Sequence, residues 1–194
     1  IRLKQLAAQQ SREVSVCVLE KGGELGAHIL SGAVMDPIAL NELIPDWKEK
    51  GCPFETPVKN DTFLVLGPEG SIPLPVFLMP PMLHNHGMYI GSLGNVARWM
   101  GQQAEALGVE IYPGFAASGL TYREDGSVKG VIAGVVGVEK NGEKGPDYSP
   151  GMELNGKYVL IGEGVRGSLA KVLIRDFKLD KDSQPQKFGI GIKE

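Results

Sequence analysis

Ile1-Arg-Leu-Lys-Gln-Leu-Ala-Ala8, followed after a short gap by Glu13-Val-Ser-Val-Cys-Val-Leu-Glu20, decides how the chain is read. The first stretch spaces its apolar residues as a helix does and carries no Ser, Thr, Asp or Asn cap, so the chain is expected to start inside a helix. The second is a β-branched run of strand length that ends on an acid. Helix, strand and terminal acid form the second half of a βαβ unit. A carboxylate at the carboxyl end of such a strand is where a dinucleotide-binding fold accepts hydrogen bonds from a ribose. Acids at strand ends are also often simply solvated, and without the Gly-rich turn that would precede the helix Glu20 keeps both readings.

Outward from this unit, Lys21 to Gly32 is a loop studded with glycine, and residues 36–82 are crowded with Pro and Gly and show no long period. Leu93, Val96, Ala97, Met100, Ala104 and Leu107 recur at steps of three and four, which predicts a helix over Ser92–Gly108 with Gly108 as its C-cap. A short strand is expected at Val109–Tyr112. Gly119 to Tyr158 reads as a β-meander, with strands at Leu120–Arg123 and Val128–Val138 and turns at Asp125-Gly126 and Asn141-Gly142. Lys157-Tyr-Val-Leu-Ile161 predicts a buried strand, Gly162–Gly167 a tight turn, and Ser168–Phe177 a helix with Leu169, Val172, Leu173 and Phe177 on one face. Phe188 to Glu194 reads as a strand cut short.

The 194 residues are 42% apolar and 22% charged with a net charge of −3, the profile of an ordinary globular chain. The 20 Lys and Arg are scattered, so no basic stripe tracks a phosphate backbone and nucleic acid is not an expected partner. The longest apolar run, Ile72 to Leu83, holds Pro73, Pro75, Pro80 and Pro81 and falls short of the roughly 20 residues a membrane span needs. It is either a buried connection or an exposed loop that meets lipid or an apolar substrate. Cys17 and Cys52 make no disulfide framework, which points to a reducing compartment. His28, His84 and His86 are too scattered to suggest a metal site, and structural roles are expected. No Ser sits in a G-x-S-x-G elbow, so hydrolysis lacks a nucleophile.

Gly162-Glu-Gly-Val-Arg-Gly167 matches G-x-G-x-x-G between an expected strand and helix. Two readings stand: a phosphate cradle at a helix N-terminus, or glycines that only make a tight turn. Glu163 complicates the first, because its carboxylate repels a pyrophosphate unless it meets a ribityl hydroxyl instead.

Cys17-Val-Leu-Glu-Lys21, Gly26-Ala-His-Ile-Leu-Ser-Gly32, Pro45-Asp-Trp-Lys48, Asn85-His-Gly-Met-Tyr-Ile90, Trp99 with Gly101 to Gly114, Gly162-Glu-Gly164 and Phe188-Gly-Ile-Gly-Ile-Lys-Glu194 run in order along the chain. Together they resemble the electron transfer flavoprotein-ubiquinone oxidoreductases, FAD and iron-sulfur enzymes at the membrane surface. The resemblance implies an α/β fold: an FAD-binding, Rossmann-like βαβ fold of the glutathione-reductase type, truncated at both ends, with an inserted β-meander. Residues 1–35 are then part of the FAD-binding domain, 36–91 a quinone- and membrane-facing region, 92–187 the FAD-binding domain continued, and 188–194 the start of a quinone-domain strand.

On the same resemblance, Glu20, Lys21, Gly26, Ala27, Ser31 and Gly32 hold FAD, and Gly162, Glu163 and Gly164 make its second contact. No nicotinamide site is implied at the G-x-G-x-x-G. Phe188, Gly189, Ile190 and Gly191 lie near ubiquinone, and Val76, Phe77, Leu78, Met79, Met82 and Leu83 touch the membrane. The implied partners are electron transfer flavoprotein, ubiquinone and a membrane surface, either the cytoplasmic face of a bacterial inner membrane or the matrix face of the mitochondrial one. The iron-sulfur cluster is expected in the full-length protein, with its cysteines after Glu194, and no acid or base is required. Phe188 stands where several members carry Tyr, and Gly162 where Ala is usual. The competing expectations are an FAD-dependent reductase of the geranylgeranyl-reductase type and a noncatalytic flavoprotein-like module. An iron-sulfur signal and flavin absorbance, respectively, separate them from the quinone reductase.

Overall fold

Helix α1 (Arg2–Gln9) leads into strand β1 (Cys17–Glu20), as the opening residues predict. They belong to a computed structural model that describes residues 1–30, 32–164 and 166–189 and divides into two units, Ile1–Gly114 and Phe115–Glu194. The first unit continues with β2 (Ala33–Met35), α2 (Ile38–Leu43), β3 (Thr56–Pro57), β4 (Phe63–Gly67), β5 (Gly70–Leu74), β6 (Tyr89–Gly91), α3 (Leu93–Glu105) and β7 (Glu110–Pro113). β1 lies parallel to β7, with Cys17 opposite Glu110 and Glu20 opposite Pro113. Pairing extends back only to Val16, whose carbonyl accepts from the Glu110 amide at 3.0 Å, so the strand is shorter than the Glu13–Glu20 run. Ser92 caps α3, and Gly108, at φ +77°, turns the chain from that helix into β7.

The Pro- and Gly-crowded region has its own core. Leu40 of α2, Ile44, Trp47, Cys52 and Phe54 close against Val96 and Trp99 of α3. Trp47 is 3% exposed, meets Phe54 and Tyr89 edge-on at 5.5 and 5.4 Å, and donates its indole N–H to Asn41 Oδ1 at 2.7 Å. The Trp99 indole donates to the Lys50 carbonyl at 2.9 Å. Both buried indoles are thus satisfied, which lets two large rings fill a loop-built core without leaving a polar atom stranded. β6 joins β2 and β3 into a small antiparallel sheet, while β4 and β5 form a separate hairpin in which Phe63 faces Leu74 and Gly67 faces Gly70.

The second unit contains β8 (Ala117–Tyr122), β9 (Val128–Ala133), β10 (Val136–Val138), β11 (Lys144–Ser149), β12 (Met152–Asn155) and α4 (Ser168–Phe177). The meander is present as an antiparallel sheet in the order β12-β9-β8, beside a β10-β11 hairpin. Its first turn closes through Asp125 Oδ1, which accepts from the Ser127 amide and hydroxyl, and its second through Asn141 Oδ1 and the Glu143 amide. The single strand expected over Val128–Val138 is broken at Gly134, where φ is +73°.

The buried strand expected at Lys157–Ile161 does not form. Tyr158 and Leu160 are 91% and 92% exposed. An apolar run becomes a buried strand only when a neighbouring strand offers ladder partners, and these residues join none of the sheets among the described residues.

Candidate functional site

Glu20 emerges from the carboxyl end of the parallel pair, and its Oε1 accepts from the Gly22 amide. The Gly22 carbonyl in turn takes the Gly114 amide at 2.7 Å, which fastens the loop after β1 to the end of β7. The loop then lies along α3, from Gly94 to Gly101. Arg98 of that helix donates to the Leu25 carbonyl at 3.5 Å and pairs with Glu24 at 3.4 Å. Leu25 occupies the space that a side chain at Gly101 would need. Gly26, at φ +79°, sits so close to Gly94 that a Cβ would meet its backbone at 2.8 and 2.9 Å. Two glycines, one on the loop and one on the helix, therefore permit the contact. Ala27 continues the turn by donating its amide to the Glu24 carbonyl at 3.3 Å, Lys21 is exposed, and Gly32 has φ +82°. Ser31 lies outside the described residues.

In the second unit the G-x-G-x-x-G string resolves into a turn with a specific capping group. Glu163 Oε2 accepts from the amides of Leu169 and Ala170 at 2.9 and 3.0 Å, at the first turn of α4. Gly164 has φ +80°, and a Cβ on Gly167 would collide with the Glu163 side chain. The carboxylate thus takes two helix N-terminal donors and places a negative charge where a phosphate would sit. This favours the tight-turn reading of the string over the phosphate cradle. Replacing Glu163 by Ala uncaps α4 and is expected to cost about 0.5–2 kcal/mol, read as a lower unfolding midpoint.

Phe188 is exposed and lines an open cavity of about 530 Å³ with Arg166, Lys171 and Ile174; Gly189 follows it, whereas Ile190 and Gly191 lie outside the described residues. The segment after β5 folds as two short 3-10 turns, Val76–Leu78 and Pro81–Leu83, because its prolines forbid a longer helix. Phe77 is 79% and Met82 82% exposed, with Leu78 and Leu83 also in solvent and Val76 and Met79 half-buried. Within the described residues the segment is thus exposed rather than buried. The β4-β5 hairpin, with Leu66 76% exposed, adds to the same stretch and was not legible beforehand, although Gly67-Pro-Glu-Gly70 between two apolar runs is a turn signal. His84 plays a structural part, its Nε2 lying 3.0 Å from the Val76 carbonyl oxygen.

No family model matches the chain. Over its whole length, it is 55% identical to the electron transfer flavoprotein-ubiquinone oxidoreductase of Pseudomonas aeruginosa, across 195 aligned residues. The chain corresponds to a segment of that family. The mitochondrial electron transfer flavoprotein-ubiquinone oxidoreductases of Dictyostelium discoideum and Bos taurus are 53% and 51% identical, again over all of this chain. These matches cover 35%, 32% and 31% of the three relatives, so the chain spans about a third of the length of the oxidoreductases it matches. Among solved structures, Thermovibrio ammonificans THI4 aligns at a TM-score of 0.48 and 14% identity over 91% of this chain and 67% of that one, a likeness too distant to carry an argument.

Proposed function

We propose that the segment belongs to an enzyme that passes electrons from reduced electron transfer flavoprotein to ubiquinone, with FAD as its resident cofactor. The single observation behind this is the whole-length match to electron transfer flavoprotein-ubiquinone oxidoreductases at 51–55% identity. The first unit suits an adenosine. Glu20 ends a parallel strand, the Gly22 amide fixes one of its oxygens, and the other is left to accept from ribose hydroxyls. Lys21, Gly26, Ala27, Ser31 and Gly32 are assigned to the flavin-facing loop. In the second unit, Gly162, Glu163 and Gly164 are assigned to a further flavin contact, with Glu163 held in place by α4. When bound, FAD supplies the redox chemistry, and this chain's residues bind it, orient it and limit access to it.

An iron-sulfur centre cannot be completed from these residues. A cluster takes four ligands, whereas the chain offers Cys17 on β1 and Cys52 in the core. Desolvation, helped at Cys17 by the Glu110 carboxylate, pushes both thiols up, away from the thiolate that iron requires.

Among the described residues no helix is long and apolar enough to cross a membrane. A peripheral contact through Val76, Phe77, Leu78, Met79, Met82 and Leu83 is the proposed mode, on an inner-membrane face, with Phe188 to Gly191 toward the quinone. The adenosine assignment is tested by Glu20→Ala in the intact protein. Flavin affinity is expected to fall by about 1–3 kcal/mol, the cost of leaving buried hydroxyls without a charged acceptor. Equilibrium flavin titration checks it, and an unchanged affinity removes Glu20 from the site.

A further inference from the structure

Exposed apolar side chains of the first unit are densest along one excursion of the chain, with others such as Leu30 and Ile38 scattered elsewhere. This excursion leaves after β3, runs through the β4-β5 hairpin and the two 3-10 turns, and returns to β6. Leu66, Ile72, Phe77, Leu78 and Met82 all stand in solvent along it. At its base β3 pairs with β6, and the Val58 amide donates to the Met88 carbonyl at 2.8 Å. The next tie outward is made by side chains. Asp61 accepts from Asn85 twice, Oδ2 from the backbone amide and Oδ1 from the side-chain amide, each at 2.9 Å. Asn85 also donates to the Leu83 carbonyl at 3.3 Å, and the His84 ring reaches the Val76 carbonyl, so both 3-10 turns are held from the same corner.

We propose that Asp61 and Asn85 form a clamp that closes the neck of the 62–84 excursion and so positions its apolar side chains as one lipid-facing surface. The proposal rests on the membrane reading given above, and Asp61 acts in it as a positioning residue. Two donors on one carboxylate, spread over a backbone and a side-chain amide, fix both the distance and the angle between the strands entering and leaving the neck. A hairpin of two strands with both faces in solvent has little stability of its own. Its orientation is therefore set where it is anchored. The donors also hold the Asp61 carboxyl below the usual carboxylate range, the Asn85 side chain contributing most, with His84 and His86 adding to the effect.

The test uses the intact protein with Asp61→Ala, Asp61→Asn and Asn85→Ala, read by hydrogen exchange and by sedimentation with liposomes containing anionic and neutral phospholipids. In Asp61→Ala the Asn85 amide and the β4-β5 amides are expected to exchange at least about fivefold faster, while α3 and the β1-β7 pair exchange as in the parent. Liposome affinity is expected to drop at least about threefold, and Asp61→Asn, which keeps an acceptor, to fall between Ala and the parent. Exchange like the parent's in Asp61→Ala overturns the clamp. Faster exchange with undiminished liposome binding overturns its positioning role. Should the Phe77→Glu, Leu78→Glu protein also bind liposomes as the parent does, the membrane reading itself falls, and the exchange data still decide whether the clamp exists.

Discussion

Phe77→Glu combined with Leu78→Glu is expected to release the intact protein from liposomes and to slow quinone reduction, while reduction of the flavin by the soluble partner is spared. Both side chains are exposed on a turn held open by proline. Burying an aromatic and a branched aliphatic side chain at a bilayer is worth about 1.5–3 kcal/mol each, and two carboxylates add a desolvation cost. Liposome affinity should therefore fall by at least about a hundredfold. Because the change adds no bulk to a core, unfolding midpoints should stay near the parent's. A double variant that sediments with liposomes as the parent does rules the segment out as a membrane contact.

Gly26→Val should be the most damaging single change in the loop after β1. Its φ of +79° costs a β-branched residue about 1–3 kcal/mol. The new Cβ would also press on the carbonyl and Cα of Gly94, which is helix backbone and cannot swing aside as a side chain can. A total loss of about 2–4 kcal/mol is expected in denaturant unfolding, together with lower flavin occupancy. If flavin occupancy falls with stability unchanged, strain is not the cause and the glycine acts by contact alone.

The parts of the fold legible in the sequence are those whose residues repeat a period. α3 is announced by Leu93, Val96, Met100 and Ala104 and stands where they put it, whereas the β-branched run Glu13–Glu20 forms a strand only from Cys17. Residues 36–82 have no period because their core comes from single side chains on irregular backbone, with Trp47 and Phe54 brought against Tyr89 and Trp99 from distant positions. No local window contains that information. The failure at Lys157–Ile161 has the opposite origin: composition reports a preference for burial but cannot supply the neighbouring strand that burial requires. At the candidate site, the place of Glu20 at the carboxyl end of β1 was legible from the β-branched run before it. The part played by Glu163 was not, since one carboxylate can serve a ligand or a helix end, and only the positions of the Leu169 and Ala170 amides show the second use.

The parallel pairing of β1 with β7 also sets a timetable for biosynthesis. Partners such as Cys17 and Glu110 are roughly ninety residues apart, so at about 5–20 residues per second the ribosome delivers β7 roughly 5 to 20 s after β1. Throughout that interval the edge of β1 that β7 later takes has unfilled backbone donors and acceptors, open to pairing with other chains. Rapid synthesis or early chaperone capture should therefore raise the yield of correctly folded protein.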